Sequence, residues 1–423
     1  MKKIALCMAA IAMIGMTLTS CTKEEGRSIF KATTEASDTK THLGENGYQL
    51  LWDTDVPDTI LVCNADGQSG TFTSTSITDN IATFESETTI EGTTFYAFYP
   101  TSIYVSPTSI SLPATQEYAA SSIKGFPMYA ETETDELHFN NLCGVIRFKL
   151  QKASTTVKSI VIRTDKGING TFALSNGEIA ANTNATDAEK SVVLDCGNGV
   201  SISSLTEFNV YLPAGTYTTF DFSIVCADGQ VFTRKLSTST TSTPSLTVEK
   251  NHVYSITLNP LTYSENVSAF YFTTMGRNGE ANLWYNIAQN NTVGGVAPSY
   301  YTVLLSESST HHGSQTYITV FDKPITNIPS HAAGSWSGDN ETLTSITIPN
   351  SVASIGSEAF MVSNLMEVTC IPTTAPTLGA DAFYRYNYNS GENDFYNEYV
   401  ELNIPTGSEA DYRAKGWDDY FNF

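Results

Sequence analysis

The stretch LHFNNLCGVIRFKL, residues 137–150, decides the fold class. In its second half Ile146, Phe148 and Leu150 alternate with Arg147 and Lys149. Because successive side chains of a β-strand point to opposite faces, this alternation predicts a strand with one apolar face and one wet face. Short stretches with the same period recur along the chain, whereas long runs with helical spacing are scarce. The sequence therefore predicts an all-β protein.

The length and net charge of the chain limit the number of domains and the classes of binding partner. A chain of 423 residues favours about two to four domains. The formal net charge is −22 at pH 7, and no run rich in lysine or arginine interrupts the acidic balance. Because such a surface repels phosphate backbones, nucleic-acid binding is excluded as a main function.

Two series of short strand candidates, separated by turn residues, precede residue 260. The first comprises SIFKATTEA, GYQLLW, TILVC, IATFE and TFYAFYP; the second runs from residue 137 through VKSIVIR, SVVL, FNVYLP, FDFSIV and VYSITL. In FDFSIV the residues Phe220, Phe222 and Ile224 face one way, while Asp221 and Ser223 face the other. Such series predict two tandem Greek-key β-sandwiches, over residues 28–136 and 137–260.

The N-terminus, MKKIALCMAAIAMIGMTLTSC, carries two lysines and then an apolar stretch of 15 residues from Ile4 to Leu18. That length fits a cleavable signal, residues 1–20, better than a membrane-spanning helix, which is the alternative. The segment LTSC resembles the lipobox of bacterial lipoproteins, which implies that Cys21 is lipidated and begins the mature chain, with residues 21–27 as a linker. Acyl chains would then hold the protein on a membrane.

The linker residues TKEEG resemble the export signal that places some lipoproteins on the outer face of the outer membrane. A simple charged linker would have the same composition, so both interpretations stay open. The favoured expectation is a lipid-anchored protein at the cell surface.

Several segments between residues 28 and 260 resemble the fimbrillin-like (Mfa-like) family: FKATTEASDTKTHL, LLWDTDVPDTILVCNADG, LHFNNLCGVIRFKL and VYLPAGTYTTFDFSIVCADGQ. The resemblance implies a surface lipoprotein with two β-sandwiches that builds, anchors or decorates pili. In polymerising members a protease cuts after an arginine, the first strand leaves, and a neighbour's strand fills the groove. Here the early arginine, Arg27, precedes the first strand candidate, so a cut would open no groove and a role as shaft subunit is not expected.

The stretch LTSITIPNSVASIGSEAF, residues 343–360, cannot bury its apolar face alone, so related units should lie beside it. Such units begin at Ile318, Ile346, Val368 and Leu402. In each, the first and third residues of a strand are expected to point inward. The pattern resembles the BspA-type leucine-rich repeat, and IPTGSEADYRAKGW resembles its C-terminal cap.

A short leucine-rich-repeat-like β module is therefore expected over residues 261–423, with caps at both ends. The N-terminal cover is expected from residues 262–317, where NLWYNI and SYYTVLL are the predicted strands.

An aromatic insertion, YRYNYNSGENDFYNEY, lies between the third unit and the cap. Exposed tyrosines offer a large contact area at low entropy cost and suit protein surfaces or sugar rings. They would equally fill gaps in a small module. The candidate ligand-binding residues are Tyr384, Tyr386, Tyr388, Phe395, Tyr396 and Tyr399.

The sequence contains no recognisable catalytic or metal-binding motif, and no cofactor is expected. The six histidines form no HExxH, and GxSxG, P-loop and GxGxxG motifs are absent. Five cysteines remain when those of the signal and anchor are set aside, and they are interpreted mostly as small buried residues, with a bridge between Cys196 and Cys226 left open. A catalytic carboxylate pair for glycoside hydrolysis is recognised by the distance between its two carboxyl groups, which the sequence does not give.

The expected function is adhesion or recognition by a non-enzymatic surface lipoprotein, either pilus-associated as an anchor, accessory or tip subunit, or acting alone. Its expected partners are the outer membrane through the lipid anchor, pilus subunits, and a host protein or glycan. The alternative is a glycan-binding lipoprotein or carbohydrate-active enzyme in sugar acquisition.

Overall fold

A computed structural model describes residues 23–24, 27–34, 58–78, 81–120, 122–179, 182–235, 245–262, 267–275, 281–307, 313–333, 343–361, 365–383, 385–386, 393–394 and 400–423. Within these ranges the chain is built mainly from β-strands, with two short α-helices at residues 281–290 and 409–414. The all-β prediction is confirmed.

The strands that precede residue 142 are β1 (Lys23–Glu24), β2 (Arg27–Thr34), β3 (Thr59–Asn64), β4 (Ser69–Thr78), β5 (Ile81–Ser86), β6 (Phe95–Tyr99), β7 (Tyr104–Ser106), β8 (Ser109–Leu112), β9 (Thr115–Glu117), β10 (Met128–Thr132) and β11 (Glu136–Asn141). Those up to residue 258 are β12 (Cys143–Leu150), β13 (Thr156–Thr164), β14 (Gly170–Ala173), β15 (Ser191–Ser201), β16 (Thr206–Pro213), β17 (Gly215–Tyr217), β18 (Phe220–Cys226), β19 (Val231–Lys235), β20 (Leu246–Val248) and β21 (Val253–Leu258). Short 3₁₀ turns cover Thr101–Ile103, Ala188–Lys190 and Trp417–Asp419.

The C-terminal part contains β22 (Ser268–Met275), α1 (Ala281–Asn290), β23 (Tyr300–Glu307), β24 (Ser314–Phe321), β25 (Asn327–Ile328), β26 (Leu343–Ile348), β27 (Ser354–Ile355), β28 (Glu367–Cys370), β29 (Thr377–Leu378), β30 (Arg385–Tyr386), β31 (Asn393–Asp394), β32 (Glu401–Asn403) and α2 (Glu409–Ala414).

The first sheet closes on itself. Its strand order is β1-β2-β11-β10-β6-β3-β4-β5, and β2 also pairs with β5, so β2 joins the two ends of the sheet. Phe30 and Ala32 of β2 are fully buried. The ring of Phe30 meets those of Phe72 and Phe95 edge to face, with centroids 5.2 and 5.4 Å apart. Because it is paired on both sides and supplies the core, β2 is an integral strand of this first unit.

The first unit is joined to the second through shared pairing. Strand β8 pairs with β14, and β9 pairs in parallel with β15. The buried amide of Gln116 donates to the carbonyl of Tyr211 at 2.9 Å and accepts from its N–H at 3.0 Å. These contacts cross the division expected at residue 136, which stays a prediction.

The second sandwich consists of the sheet β16-β12-β21 and the facing sheet β19-β18-β13-β15-β9. Ile146, Phe148 and Leu150 point into its core as predicted. The prediction that the other face of β12 is exposed to solvent is wrong at Arg147, which is only 2% exposed. Its Nε donates to Oδ1 of Asn209 at 3.0 Å, and the amide of Asn209 reaches the carbonyl of Ser122, so a neighbouring segment covers this face.

The C-terminal module, residues 267–423, contains a mixed sheet of order β23-β24-β22-β26-β28-β32 and a second ladder of order β25-β27-β29. Strands β26, β28 and β32 are parallel neighbours, and so are β25, β27 and β29. Successive stretches of chain therefore stack side by side, as the search for neighbouring units predicts.

The first of the repeat units predicted from the sequence, which begins at Ile318, departs from this pattern. Ile318 lies in β24, which is antiparallel to β22 and separated by it from β26. Ile318 and Val320 point away from the core of the module and into a second cluster. NLWYNI is also not a strand, because it lies in α1, where Leu283, Trp284 and Ile287 are buried on one face. SYYTVLL is part of β23, as predicted.

The turns after β25, β27 and β29 repeat one backbone conformation. His331, Glu358 and Asp381 all have a left-handed φ of 53–55°. The N–H of His331 donates to the carbonyl of Ser357, and that of Glu358 donates to the carbonyl of Ala380. Each of the first two turns is thus hydrogen-bonded to the equivalent turn of the next layer.

The last layer is closed by α2 and the turn after it. The hydroxyl of Tyr412 donates to the carbonyl of Pro372 at 2.7 Å, and Nε1 of Trp417 donates to that of Pro376 at 2.9 Å. Lys415 donates to the carbonyl of Ala375 between them. Because these donors satisfy backbone acceptors at the end of the stack, no further layer is needed to cover them.

The cysteines of the described residues are free and buried: Cys63, Cys143, Cys196, Cys226 and Cys370. The bridge between Cys196 and Cys226 that the sequence left open is therefore not formed. Burial raises the pKa of Cys63 to about 11 and that of Cys370 to about 12. These thiols are packing residues, as the sequence predicted, and not thiolate nucleophiles at neutral pH.

Candidate functional site

Most of the site residues expected from sequence lie outside the described residues. This holds for the signal and for Cys21, and for Tyr384, Tyr388, Phe395, Tyr396 and Tyr399. The backbone of Tyr386 is described, in β30. It pairs with Asn393 of β31, and Arg385 pairs with Asp394, so an antiparallel ladder lies within the insertion.

The insertion leaves the module from a packed base. Phe383, the last described residue before it, stacks on Phe360 with centroids 5.2 Å apart and meets Phe421 edge-on at 5.0 Å. Val400 and Leu402, where the chain returns, pack against the same core. The core of the module therefore fixes both ends of the insertion.

The outer face of the module's mixed sheet divides into a covered half and an open half. The covered half packs on the second sandwich through a small apolar cluster in which β22, β23 and β24 face β13, β15 and β18. Its buried members are Val161, Val193 and Val225 from the sandwich, and Ala269, Val303, Ile318 and Val320 from the module. Two sheets thus meet face to face at this joint.

A polar group borders that cluster. Arg163, Asp221 and Lys235 are neighbours across β13, β18 and β19. The guanidinium of Arg163 lies over the ring of Tyr301 from the module, and its Nη2 is 3.2 Å from Oδ1 of Asp187. Tyr301 is hydrogen-bonded to Ser223, and burial raises its pKa.

Asp221 has the least favourable environment in this group. It is 4% exposed, its Oδ2 is 3.9 Å from Nζ of Lys235, and its Oδ1 has no hydrogen-bond partner among the described residues. Burial raises the pKa of Asp221, the charges of Lys235 and Arg163 oppose the rise, and that of Asp322 adds to it. Its ionised form is therefore disfavoured in the packed joint.

The open half of the face lies on β26, β28 and β32. Its polar residues are Ser345, Glu367, Thr369, Glu401 and Asn403. Glu367 and Glu401 are exposed and directly opposite each other, and the amide of Asn403 donates to Glu367 at 3.0 Å. This half is a flat polar surface beside the insertion, and it offers hydrogen-bonding groups to a partner.

The described residues contain no group of three or more histidine, cysteine, aspartate or glutamate side chains placed to hold a metal ion. Neither of their α-helices has the length and apolarity that a membrane span requires.

Comparison with known proteins gives matches in structure alone. No family model matches the chain, and no curated protein matches it. A proposed cell adhesion protein from Bacteroides ovatus is similar over 55% of this chain and 92% of its own, with 11% identity and a TM-score of 0.34.

Two fimbrial proteins are also among the similar structures. The tip fimbrial protein Mfa3 from Porphyromonas gingivalis, with a C-terminal truncation, covers 70% of this chain and 99% of its own, with 8% identity and a TM-score of 0.22. A fimbrial protein from Bacteroides ovatus covers 57% of this chain and 51% of its own, with 10% identity and a TM-score of 0.26. At these identities and TM-scores the matches do not place the chain in a family.

Proposed function

We propose that this chain is a fimbrillin-type lipoprotein of the cell surface, anchored in the outer membrane through Cys21, that acts in adhesion or recognition. The lipobox-like LTSC and the fimbrillin-like segments between residues 28 and 260 support the anchor and the body. The stacked ladders support a C-terminal module of leucine-rich-repeat type. The partner is a host protein or a glycan, or pilus subunits if the protein is an anchor, accessory or tip component.

One observation carries this proposal: both junctions between the three units are packed. The first unit and the second sandwich share strand pairing, and the second sandwich and the module share an apolar cluster. Units joined in this way support a scaffold that presents the module to a partner. The insertion at 384–399 is the proposed contact element, and the residues that flank it, Phe383 and Val400, pack against the core of the module.

The position of β2 bears on the role at a pilus. It begins at Arg27 and is paired on both sides, with β11 and with β5. A cut after Arg27 would detach β1 and the first residue of β2 but leave residues 28–34 paired with β11 and β5, so it would open no groove between those two strands. This favours an anchor, accessory or tip role, or a protein that acts alone, over a shaft subunit.

The anchor is tested with Cys21→Ser in cells grown with a palmitate analogue that carries a click handle. The wild-type chain should take up the label and fractionate with the outer membrane, and the variant should do neither. Cys7→Ser, which changes a thiol within the predicted signal, is the matched control and should behave as wild type. A labelled Cys21→Ser chain would refute the anchor.

The contact element is tested by replacing the six aromatic residues of the insertion with serine and measuring adhesion of intact cells to host matrix proteins and glycans. Adhesion should fall to the level of cells that lack the protein. Tyr285→Ser is the matched control, because Tyr285 is a 56% exposed tyrosine of the same module outside the insertion. Unchanged adhesion of the six-fold variant at equal surface abundance would reject the insertion as the contact element.

A second candidate is a glycan-binding lipoprotein or carbohydrate-active enzyme in sugar acquisition. It is favoured by a cleft between the second sandwich and the module whose described lining residues carry no charge. Purified protein incubated with polysaccharides separates the two forms of this candidate. Release of reducing ends would replace the non-enzymatic proposal, whereas retention of the polysaccharide without release would indicate glycan capture.

A further inference from the structure

A cleft of about 230 Å³ opens where the edge strand β19 of the second sandwich meets β22 and the loop after β26. Its lining includes the aliphatic residues Val231, Val267 and Ile371 and the polar residues Thr347, Asn350 and Ser351. Pockets at junctions between units are common ligand sites, and this one is smaller than those that hold drug-sized ligands. It has room for one small ring.

One end of the cleft is set by the hairpin between β18 and β19. A Cβ atom on Gly229 would lie 2.6 Å from Oγ1 of Thr347, so only glycine permits this approach. Gly229 also has a left-handed φ of 78°. The hairpin of the sandwich thus packs directly against Thr347, one of the polar lining residues of the cleft.

Thr347 brings to the cleft a hydroxyl group that is free to bind a ligand. Thr347 is 4% exposed, and its side chain makes no hydrogen bond within the described residues. Ser351, by contrast, is hydrogen-bonded to Ser268 at 2.6 Å, which holds the loop in place. The hydroxyl of Thr347 is not among the fully buried unpaired side-chain atoms of the described residues, so it is accessible from the cleft. A ligand hydroxyl could therefore form a hydrogen bond with it.

The charge of the lining restricts the ligand class. None of the described lining residues is ionisable, in a chain with 44 acidic and 22 basic residues. A cation would find no carboxylate among these described residues, and an anion would be repelled by the protein as a whole. A lining that combines aliphatic side chains with hydroxyl and amide groups matches a ligand with one apolar face and several hydroxyls.

We propose that this cleft binds a neutral pyranose unit, with Thr347 as hydrogen-bonding residue and Val231 and Ile371 against the apolar face of the ring. The site rests on the second candidate of the proposed function, glycan binding, and makes it specific; it requires neither a pilus nor the tyrosine-rich insertion. It identifies a second point of recognition, at the joint and not in the insertion.

The proposal is tested by saturation-transfer difference NMR on the full chain with glucose, galactose, mannose and N-acetylglucosamine, and with glucuronate as the charged comparison. At least one neutral sugar should give a signal at millimolar concentration, and glucuronate should give none. The same sugar presented at the end of an oligosaccharide distinguishes a free sugar from a glycan terminus as the natural ligand. Absence of signal from all four neutral sugars in both forms would refute the site.

Two variants locate the binding. Thr347→Val keeps the shape of the side chain and should weaken binding about three- to tenfold, the effect of one lost hydrogen bond. Ile371→Trp should fill the cleft and abolish the signal. Thr369→Val is the matched control, because Thr369 is the register partner of Thr347 on β28 and does not line the cleft.

Thermal unfolding of each variant first shows that it remains folded, so that a change in the sugar signal reports binding and not unfolding. Binding unchanged in both Thr347→Val and Ile371→Trp would overturn the proposal, as would equal loss in the control. Serine replacement of the six aromatic residues of the insertion should leave the sugar signal unchanged, so failure of the adhesion proposal and failure of this site are distinguishable.

Discussion

The guanidinium of Arg163 lies over the ring of Tyr301, with 4.5 Å between Cζ and the ring centroid. Arg163 belongs to β13 of the second sandwich and Tyr301 to β23 of the C-terminal module, so this contact joins the two. A desolvated cation–π pair contributes about 2 kcal/mol, and the ring also fills space beside the apolar cluster. Tyr301 should therefore be a main determinant of the joint.

Replacing Tyr301 with alanine should lower the free energy of unfolding of the joint by about 2 kcal/mol, because a partly buried aromatic ring is lost and Arg163 loses its cation–π partner. Chemical denaturation of the purified protein measures the loss. Limited proteolysis should also cut faster between residues 262 and 267. Tyr285→Ala, at an exposed tyrosine, should change neither, and a Tyr301→Ala protein as resistant as wild type would contradict the importance of this contact.

The burial of Asp221 predicts a dependence of stability on pH. Because its pKa is raised in the folded state, the protonated form is favoured there, and stability decreases as the pH rises from the ordinary aspartate pKa through the raised value. Asp221→Asn should be more stable than wild type at neutral pH and should lose this part of the pH dependence. Thermal unfolding over a pH series measures both.

Asp165→Asn is the control for that series. Hydrogen bonds from Thr218 and Thr219 lower the pKa of Asp165, so its ionised form is stabilised and the substitution should reduce stability at neutral pH. Opposite signs for the two variants are expected. A destabilised Asp221→Asn at neutral pH would mean that the attraction of Lys235 and Arg163 outweighs the cost of burial.

The joint also marks where prediction from sequence fails. The alternation in FDFSIV correctly assigns Phe220, Phe222 and Ile224 to the core of the sandwich. The period does not reveal that the opposite face, with Asp221, is buried as well, because the covering sheet comes from a distant part of the chain. Only the formation of the tertiary structure determines which polar face meets water.

Some missed features did leave a local signal. Residues 317–321 form a nearly continuous apolar run, which is typical of a strand buried on both faces, and Ile318 indeed faces the sandwich while Tyr317 faces the module core. In α1 the buried Leu283, Trp284 and Ile287 follow helical spacing, although a short apolar segment such as NLWYNI also fits a strand. The candidate contact residues of the insertion stay a prediction.

Close stacking of the layers predicts a strict requirement for glycine at position 356. A Cβ atom there would lie 2.3 Å from the backbone nitrogen of Ser330 in the preceding layer. Gly356→Ala should destabilise the module by about 2 kcal/mol through overpacking, since backbone and not a flexible side chain must move. Chemical denaturation measures this, and Ser357→Ala, which adds no atom next to the neighbouring layer, should stay within about 0.5 kcal/mol of wild type.

The capping of the stack gives the last prediction. The hydroxyl of the fully buried Tyr412 donates to the carbonyl of Pro372 at 2.7 Å. Tyr412→Phe keeps the ring but leaves that carbonyl without this donor, so the module should lose about 1–3 kcal/mol of stability. Amide hydrogen exchange should increase around residues 370–378 before it increases in β26. Tyr285→Phe, which removes an exposed hydroxyl, should match wild type, and equal exchange in the two variants would show that the cap does not depend on this hydrogen bond.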